Sequence, residues 1–297
     1  MMAESSIPVD LFNPGQVFAC LGFMEAADVL LGDAEGGFDW SDEMNVRFML
    51  GANGEANPIA AVLKFMTHAN VHSVAPANSE LGTEKWGVPT KRLLHDAPFP
   101  FPLPSSPATL PAVFEGSGSD QAEAPERLVV DHWGDVRHVT SRDNVKFWAG
   151  AGGYPGAALA RDALNAMRSL CCEAATAPFA LAIEQTSSFR FDWRRDYIPI
   201  DIGFSLNNHA KSRFSTVGFP LVEILAAIGL ANARPERVSS LEYRYGVAGM
   251  PNRSGIHALL DACFLRAALG GPKLPFPQRT FRGLFPLSGH QKRPWIE

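Results

Sequence analysis

Two stretches of this chain combine arginine with flat aromatic rings, the pairing that grips phosphate bidentately and stacks on nucleobases. In the first, from Phe189 to Phe214, Arg190, Arg194, Arg195, His209, Lys211 and Arg213 are interleaved with Phe191, Trp193, Tyr197 and Phe204. Asp192, Asp196 and Asp201 dilute that cluster, so some of its arginines are expected to serve internal ion pairs. The second contains Arg279, Arg282, His290, Lys292 and Arg293, with no acid before Glu297; a basic tail is the competing reading. A third candidate is the run Gly150-Ala151-Gly152-Gly153-Tyr154-Pro155-Gly156, which is glycine-rich and opens a helix. Free N–H groups at a helix start attract phosphate, with Gly152, Gly153 and Tyr154 as the contacts. No Gly-Lys-[Ser/Thr] follows and the spacing is not G-x-G-x-x-G, so a nucleic-acid phosphate fits better than a nucleotide cofactor. A plain tight turn competes with both.

Catalytic constellations are scarcer. His68 and His72 stand four apart, which on a helix puts them on one face, but no H-E-x-x-H or C-x-x-C completes a zinc site. No G-x-S-x-G elbow is present, and Ser288-Gly289-His290 is only a serine near a histidine. Asp33, Glu35, Asp39, Asp42 and Glu43 are scattered as in a solvated loop, whereas nuclease chemistry needs clustered carboxylates to hold metal ions. The expectation is a chain without catalytic residues, metal or cofactor.

Periodicity says which elements must position these residues. Ile7–Phe12 reads as a strand that turns through Asn-Pro-Gly into a helix over 16–31, with Val17, Leu21, Met24 and Leu31 at helical spacing. Asn57-Pro58 is an N-cap followed by proline at the first helical position. Six prolines lie between Pro98 and Pro111, followed by a polar Gly/Ser-rich run, so regular structure should fail over 97–126. That segment is expected to be a linker or an insertion loop between an N-terminal part, 1–96, and a main part, 127–297; a surface excursion within one domain fits equally well. Beyond it come strands at Arg127–Trp133, around 136–139, at 180–185 and at 187–193, and a further alternating strand at Leu241–Val247. Helices are expected at 155–175, at 220–230 (almost wholly apolar, hence a core helix) and at 254–269. The fold class is mixed α/β (α+β), with a partly antiparallel sheet and packed helices.

With 297 residues, 46 % of them hydrophobic, the chain can build a substantial core. No apolar run reaches the roughly 18 residues of a membrane span, and Met1–Asp10 lacks a basic signal-peptide region, so a cytoplasmic location without membrane contact is expected. Cys20, Cys171, Cys172 and Cys263 form no C-x-x-C and are expected to be reduced and buried. The net charge of −5 argues against a free-standing nucleic-acid binder. Its distribution is uneven: residues 1–60 hold ten acids and one base, Arg47, whereas 262–296 hold six bases and no acid. This asymmetry suggests an acidic outer surface and a basic working surface.

Three segments resemble a known family. Asn13-Pro14-Gly15-Gln16-Val17-Phe18-Ala19-Cys20-Leu21-Gly22 resembles an opening shared by several CRISPR effector subunits, the large-subunit type among them. Phe191-Asp192-Trp193-Arg194-Arg195-Asp196, followed by Ile200-Asp201-Ile202-Gly203-Phe204-Ser205, looks like the central signature of the third Csb-family protein of type I-G (formerly I-U) systems, a large-subunit-like effector component. Phe219-Pro220-Leu221-Val222-Glu223-Ile224-Leu225-Ala226 and Ile228-Gly229-Leu230 fit its next helix. The resemblance implies a non-catalytic, Cascade-like ribonucleoprotein subunit in antiviral defence, with crRNA, target DNA and other type I-G effector subunits as partners. By analogy with other effector subunits it also implies a ferredoxin-like (RRM-like) core. It transfers no per-residue roles, so the candidate contacts rest on charge and aromatic placement alone. Two alternatives stay open: a stand-alone enzyme holding a phosphorylated ligand at Gly150–Gly156, and a purely structural subunit that touches only protein.

Overall fold

The computed structural model describes residues 1–95, 97–101, 103–116, 126–131, 136–138, 141–142, 154–185, 188–189, 191–194, 216–238, 242–249, 259–270, 278–284 and 295–296. The first strand, β1 (Met2–Pro8), leads into helix α1 (Pro14–Leu31), in which every residue from Pro14 to Ala27 is buried. A helix that is apolar all round has no solvent face, and α1 accordingly runs through the core. It is long and apolar enough to cross a membrane by length and composition, although 78 % of that window is buried inside the protein.

Strands β2 (Glu35–Asp39) and β3 (Arg47–Asn53) follow, and the sheet order is β1-β3-β2 with antiparallel pairings throughout. This is the split β-α-β arrangement, with β3 inserted between β1 and β2. Helix α2 (Pro58–His68) begins as the sequence predicts: the Asn57 side chain accepts the Ala60 N–H at 3.1 Å. A ferredoxin-like core would return the next strand to the side of β1. Instead β4 (Asn70–Ala75) is buried on both faces from Val71 onward and sits inside a second sheet, so the closed four-stranded ferredoxin-like sheet is not formed among the described residues.

That second sheet runs β5 (Thr90–Arg92), β4, β6 (Ala112–Glu115), β7 (Arg127–Val130), with only the β4–β5 pair parallel. Strand β6 lies within 97–126, where regular structure was expected to fail. Pro111 is the last proline before 125, and Ala112-Val113-Phe114 supply the backbone donors and apolar side chains of an interior strand. A short ribbon, β8 (Val136–His138) with β9 (Ser141–Arg142), precedes α3 (Gly156–Met167). Helix α3 stops earlier than expected and gives way to a 3-10 turn at Cys171–Ala174.

A second ribbon joins β10 (Ile183–Gln185) to β11 (Thr216–Gly218), and α4 (Pro220–Asn232) follows, buried from Pro220 to Leu230. A third sheet then has the order β12 (Glu236–Arg237), β13 (Glu242–Ala248), β15 (Gln278–Leu284), β16 (Trp295–Ile296). Strand β14 (Leu260–Asp261) pairs with β2, and Asp261 caps α5 (Ala262–Leu269) by accepting the Cys263 N–H at 2.9 Å. Helix α5 is shorter than the expected 254–269, of which residues 254–258 lie outside the described residues.

Helices α1 and α4 form the central contact. A Cβ at Gly22 would run into the Leu225 carbonyl, and one at Gly229 into the Phe18 carbonyl, so reciprocal glycines let the two backbones approach closely. The fold is mixed α+β, with five α-helices among the described residues and largely antiparallel sheets.

Candidate functional site

Arg194 is held from four directions. Its Nε lies 3.0 Å from Asp192 Oδ1, and its Nη2 donates to Asp192 Oδ2 and to the Phe179 carbonyl, each at 2.6 Å. The guanidinium stacks 3.8 Å from the centre of the Phe219 ring. Asp192 is fully buried and also accepts the Arg194 backbone N–H and Asn13 Nδ2, both at 2.9 Å. A buried carboxylate needs this many donors to offset its lost hydration. Arg194, a candidate nucleic-acid contact, is thus paired internally with the carboxylate of Asp192, two residues away.

The expected strand through Trp193 is also absent at the described positions of its second half. Phe189 and Phe191 are both buried, with rings stacked 5.5 Å apart, but Asp192 between Phe191 and Trp193 is buried as well, which breaks the alternation. Gly15 packs against this segment: a Cβ there would stand 2.7 Å from the Phe191 carbonyl oxygen. The Asn-Pro-Gly turn and the Phe-Asp-Trp-Arg segment thus form one knot.

Arg279 lies on β15. Its Nη2 pairs with Glu43 Oε1 at 2.9 Å, and its guanidinium sits 5.4 Å from the Trp40 ring centre. It overlooks a cleft of about 360 Å³ bordered by Asp10, Phe12, Met44 and Phe281. A neighbouring cleft of about 280 Å³ shares Val9, Asp10, Met44 and Val46 and ends at Arg194. Two predicted arginines therefore flank one surface, although they lie 85 residues apart in sequence (279 − 194).

Tyr154, a candidate phosphate contact through its backbone, donates its hydroxyl to Asp162 Oδ2 at 2.6 Å; burial, reinforced by that carboxylate, pushes its phenol up to about 12. Arg282 is paired with Arg244 in the β13–β15 register. Arg190, Arg195, His209, Lys211, Arg213, Gly152, Gly153, His290, Lys292 and Arg293 lie outside the described residues, as does the Ser288-Gly289-His290 run.

The two histidines do not share a helix face. α2 ends at His68, and His72 lies on β4, with its Nδ1 3.7 Å from Glu115 Oε2. Lys91 and Arg127 also pair with Glu115, and their hydrogen bonds hold its carboxyl below the usual range; burial pushes His72 down. Cys20 and Cys171 are buried, but Cys172 and Cys263, each the second residue of its helical segment, are exposed, contrary to expectation.

Part of the basic C-terminal stretch is already matched within the molecule. Besides the Arg279–Glu43 pair, Arg266 makes a bidentate pair with Glu25 at 2.6 Å for each bond. The clefts were not anticipated from the sequence; their one advance signal is Phe12, a bulky apolar residue placed directly before the Asn-Pro-Gly turn. No family model, curated protein or solved structure matches this chain.

Proposed function

We propose that this chain is a non-catalytic subunit of a type I CRISPR RNA-guided DNA-surveillance complex, contacting crRNA or target DNA beside its sister subunits. The observation that supports this reading most is that the segments carrying the family resemblance interlock. Asn13 donates to Asp192 across 179 residues of chain, Gly15 abuts Phe191, and Gly22 and Gly229 seat α1 against α4. That these segments pack as one unit supports reading them together as one scaffold. In such a subunit the guide RNA reads sequence, and the protein supplies shape and backbone contacts.

Reconstitution with crRNA and the sister type I-G subunits tests this. Leaving this chain out of the assembly should weaken target-DNA binding, with a salt dependence that reports lost phosphate contacts. Equal DNA affinity and equal RNA content with and without the chain would remove the proposal.

A further inference from the structure

The cleft beside Arg279 has an aromatic wall of defined rigidity. The rings of Phe18, Tyr245, Phe281 and Phe12 form a continuous series, with centres 5.7, 5.4 and 5.5 Å apart. The first three are fully buried, whereas Phe12 is 37 % exposed and ends the series at the surface. The peptide group that leads into Phe12 is held at both its ends: the Tyr245 hydroxyl donates to the Leu11 carbonyl at 3.0 Å, and the Phe12 N–H donates to Asp10 Oδ1 at 2.9 Å. An exposed aromatic ring costs solvation, and a ring fixed in place loses little entropy when something flat stacks on it. Met44, 96 % exposed, also borders the cleft and offers a soft, adaptable side chain at its mouth.

The polar groups at the rim narrow the choice of occupant. Arg279 can turn to a phosphate because Glu43, its present partner, is itself 75 % exposed, and exposed pairs are weak. Asp10 offers a carboxylate inside the cleft, and a carboxylate accepts from an exocyclic base amine. We infer that this cleft receives one unstacked base of a single-stranded nucleic acid, stacked on Phe12, with the adjoining phosphate on Arg279 and a base amine on Asp10. The inference rests on the nucleic-acid reading above and adds a site and a preference to it: adenine, cytosine and guanine carry the amine, and uracil and thymine do not.

The test is fluorescence anisotropy of short labelled single strands with the full chain at low ionic strength. Wild type should bind adenine- or cytosine-rich strands more tightly than uracil-rich ones, and abasic strands of equal charge about ten-fold more weakly than base-bearing ones. Phe12→Leu, its fold checked by thermal unfolding, should abolish that difference while leaving affinity for the abasic strand and the salt slope unchanged. Equal wild-type affinity for abasic and base-bearing strands overturns the site but leaves the proposed function standing. Binding to no strand at any salt, alone or with sister subunits, sinks both. If Phe12→Leu impairs association with a protein partner and shows no base dependence, the cleft is a peptide site and the inference is wrong.

Discussion

Replacing Asp192 with asparagine keeps the side-chain shape and removes its charge. Four donors converge on this carboxylate: Asn13 Nδ2, the Arg194 backbone N–H, and Arg194 Nε and Nη2. In Asp192→Asn one oxygen becomes an NH2 group, so at least one donor faces another donor, and the guanidinium loses the charge and one of its two carboxylate oxygens while keeping the other, the Phe179 carbonyl and the Phe219 ring. Breaking one side of a buried pair costs about 3–5 kcal/mol. Because the Arg194 side chain is 28 % exposed and water can reach it, the lower end applies, about 3 kcal/mol. Urea unfolding gives this number directly. A double-mutant cycle with Arg194→Met should return a coupling of about 1–3 kcal/mol, as for residues in one network. A loss below about 0.5 kcal/mol, the range of ordinary surface substitutions, would refute the claim that this knot ties the two halves of the chain together.

Gly22→Ala should destabilise by about 1–3 kcal/mol or abolish soluble expression, since its Cβ meets the Leu225 backbone and not a movable side chain; thermal unfolding measures it. Brief iodoacetamide treatment of the native protein followed by peptide mass mapping should modify Cys172 and Cys263 and spare Cys20 and Cys171, whose thiols burial pushes up, that of Cys171 to about 12. Acid should act in two windows, because His72 and Glu115 both have folded-state values below their unfolded ones. The folded protein then binds fewer protons than the unfolded chain, so stability is full above each ordinary value and falls as pH drops, first below about 6.5 for His72 and then below about 4.5 for Glu115. Urea midpoints against pH should show Glu115→Gln flattening the second fall and leaving the first largely in place.

The elements that could be read from sequence were those whose local signals agree with their tertiary role. Asn57-Pro58 starts α2, and the apolar runs of α1 and α4 become buried core helices. Strand β6 escaped detection because proline density just upstream masked four residues whose partners, β4 and β7, lie elsewhere in the chain. Asp192 escaped because an alternating pattern assigns it to solvent, whereas its donors come from Asn13 and from its own arginine neighbour. The charge asymmetry between the chain ends was visible, but its meaning was partly internal: Arg266 and Arg279 answer Glu25 and Glu43. Spacing cannot show which of two opposite charges will find each other across 241 or 236 residues. The cleft at Phe12 was invisible for the same reason, since β15 supplies one of its walls.

If the chain works inside a guide-RNA assembly, as proposed, the mass and RNA content of what a tagged copy retains when coexpressed with crRNA and the type I-G effector subunits will show it. The expected result is one particle containing the sister subunits and crRNA in fixed proportion, losing this chain as salt rises. A tagged chain recovered as a bare monomer, free of RNA and of every sister subunit at low salt, would contradict it.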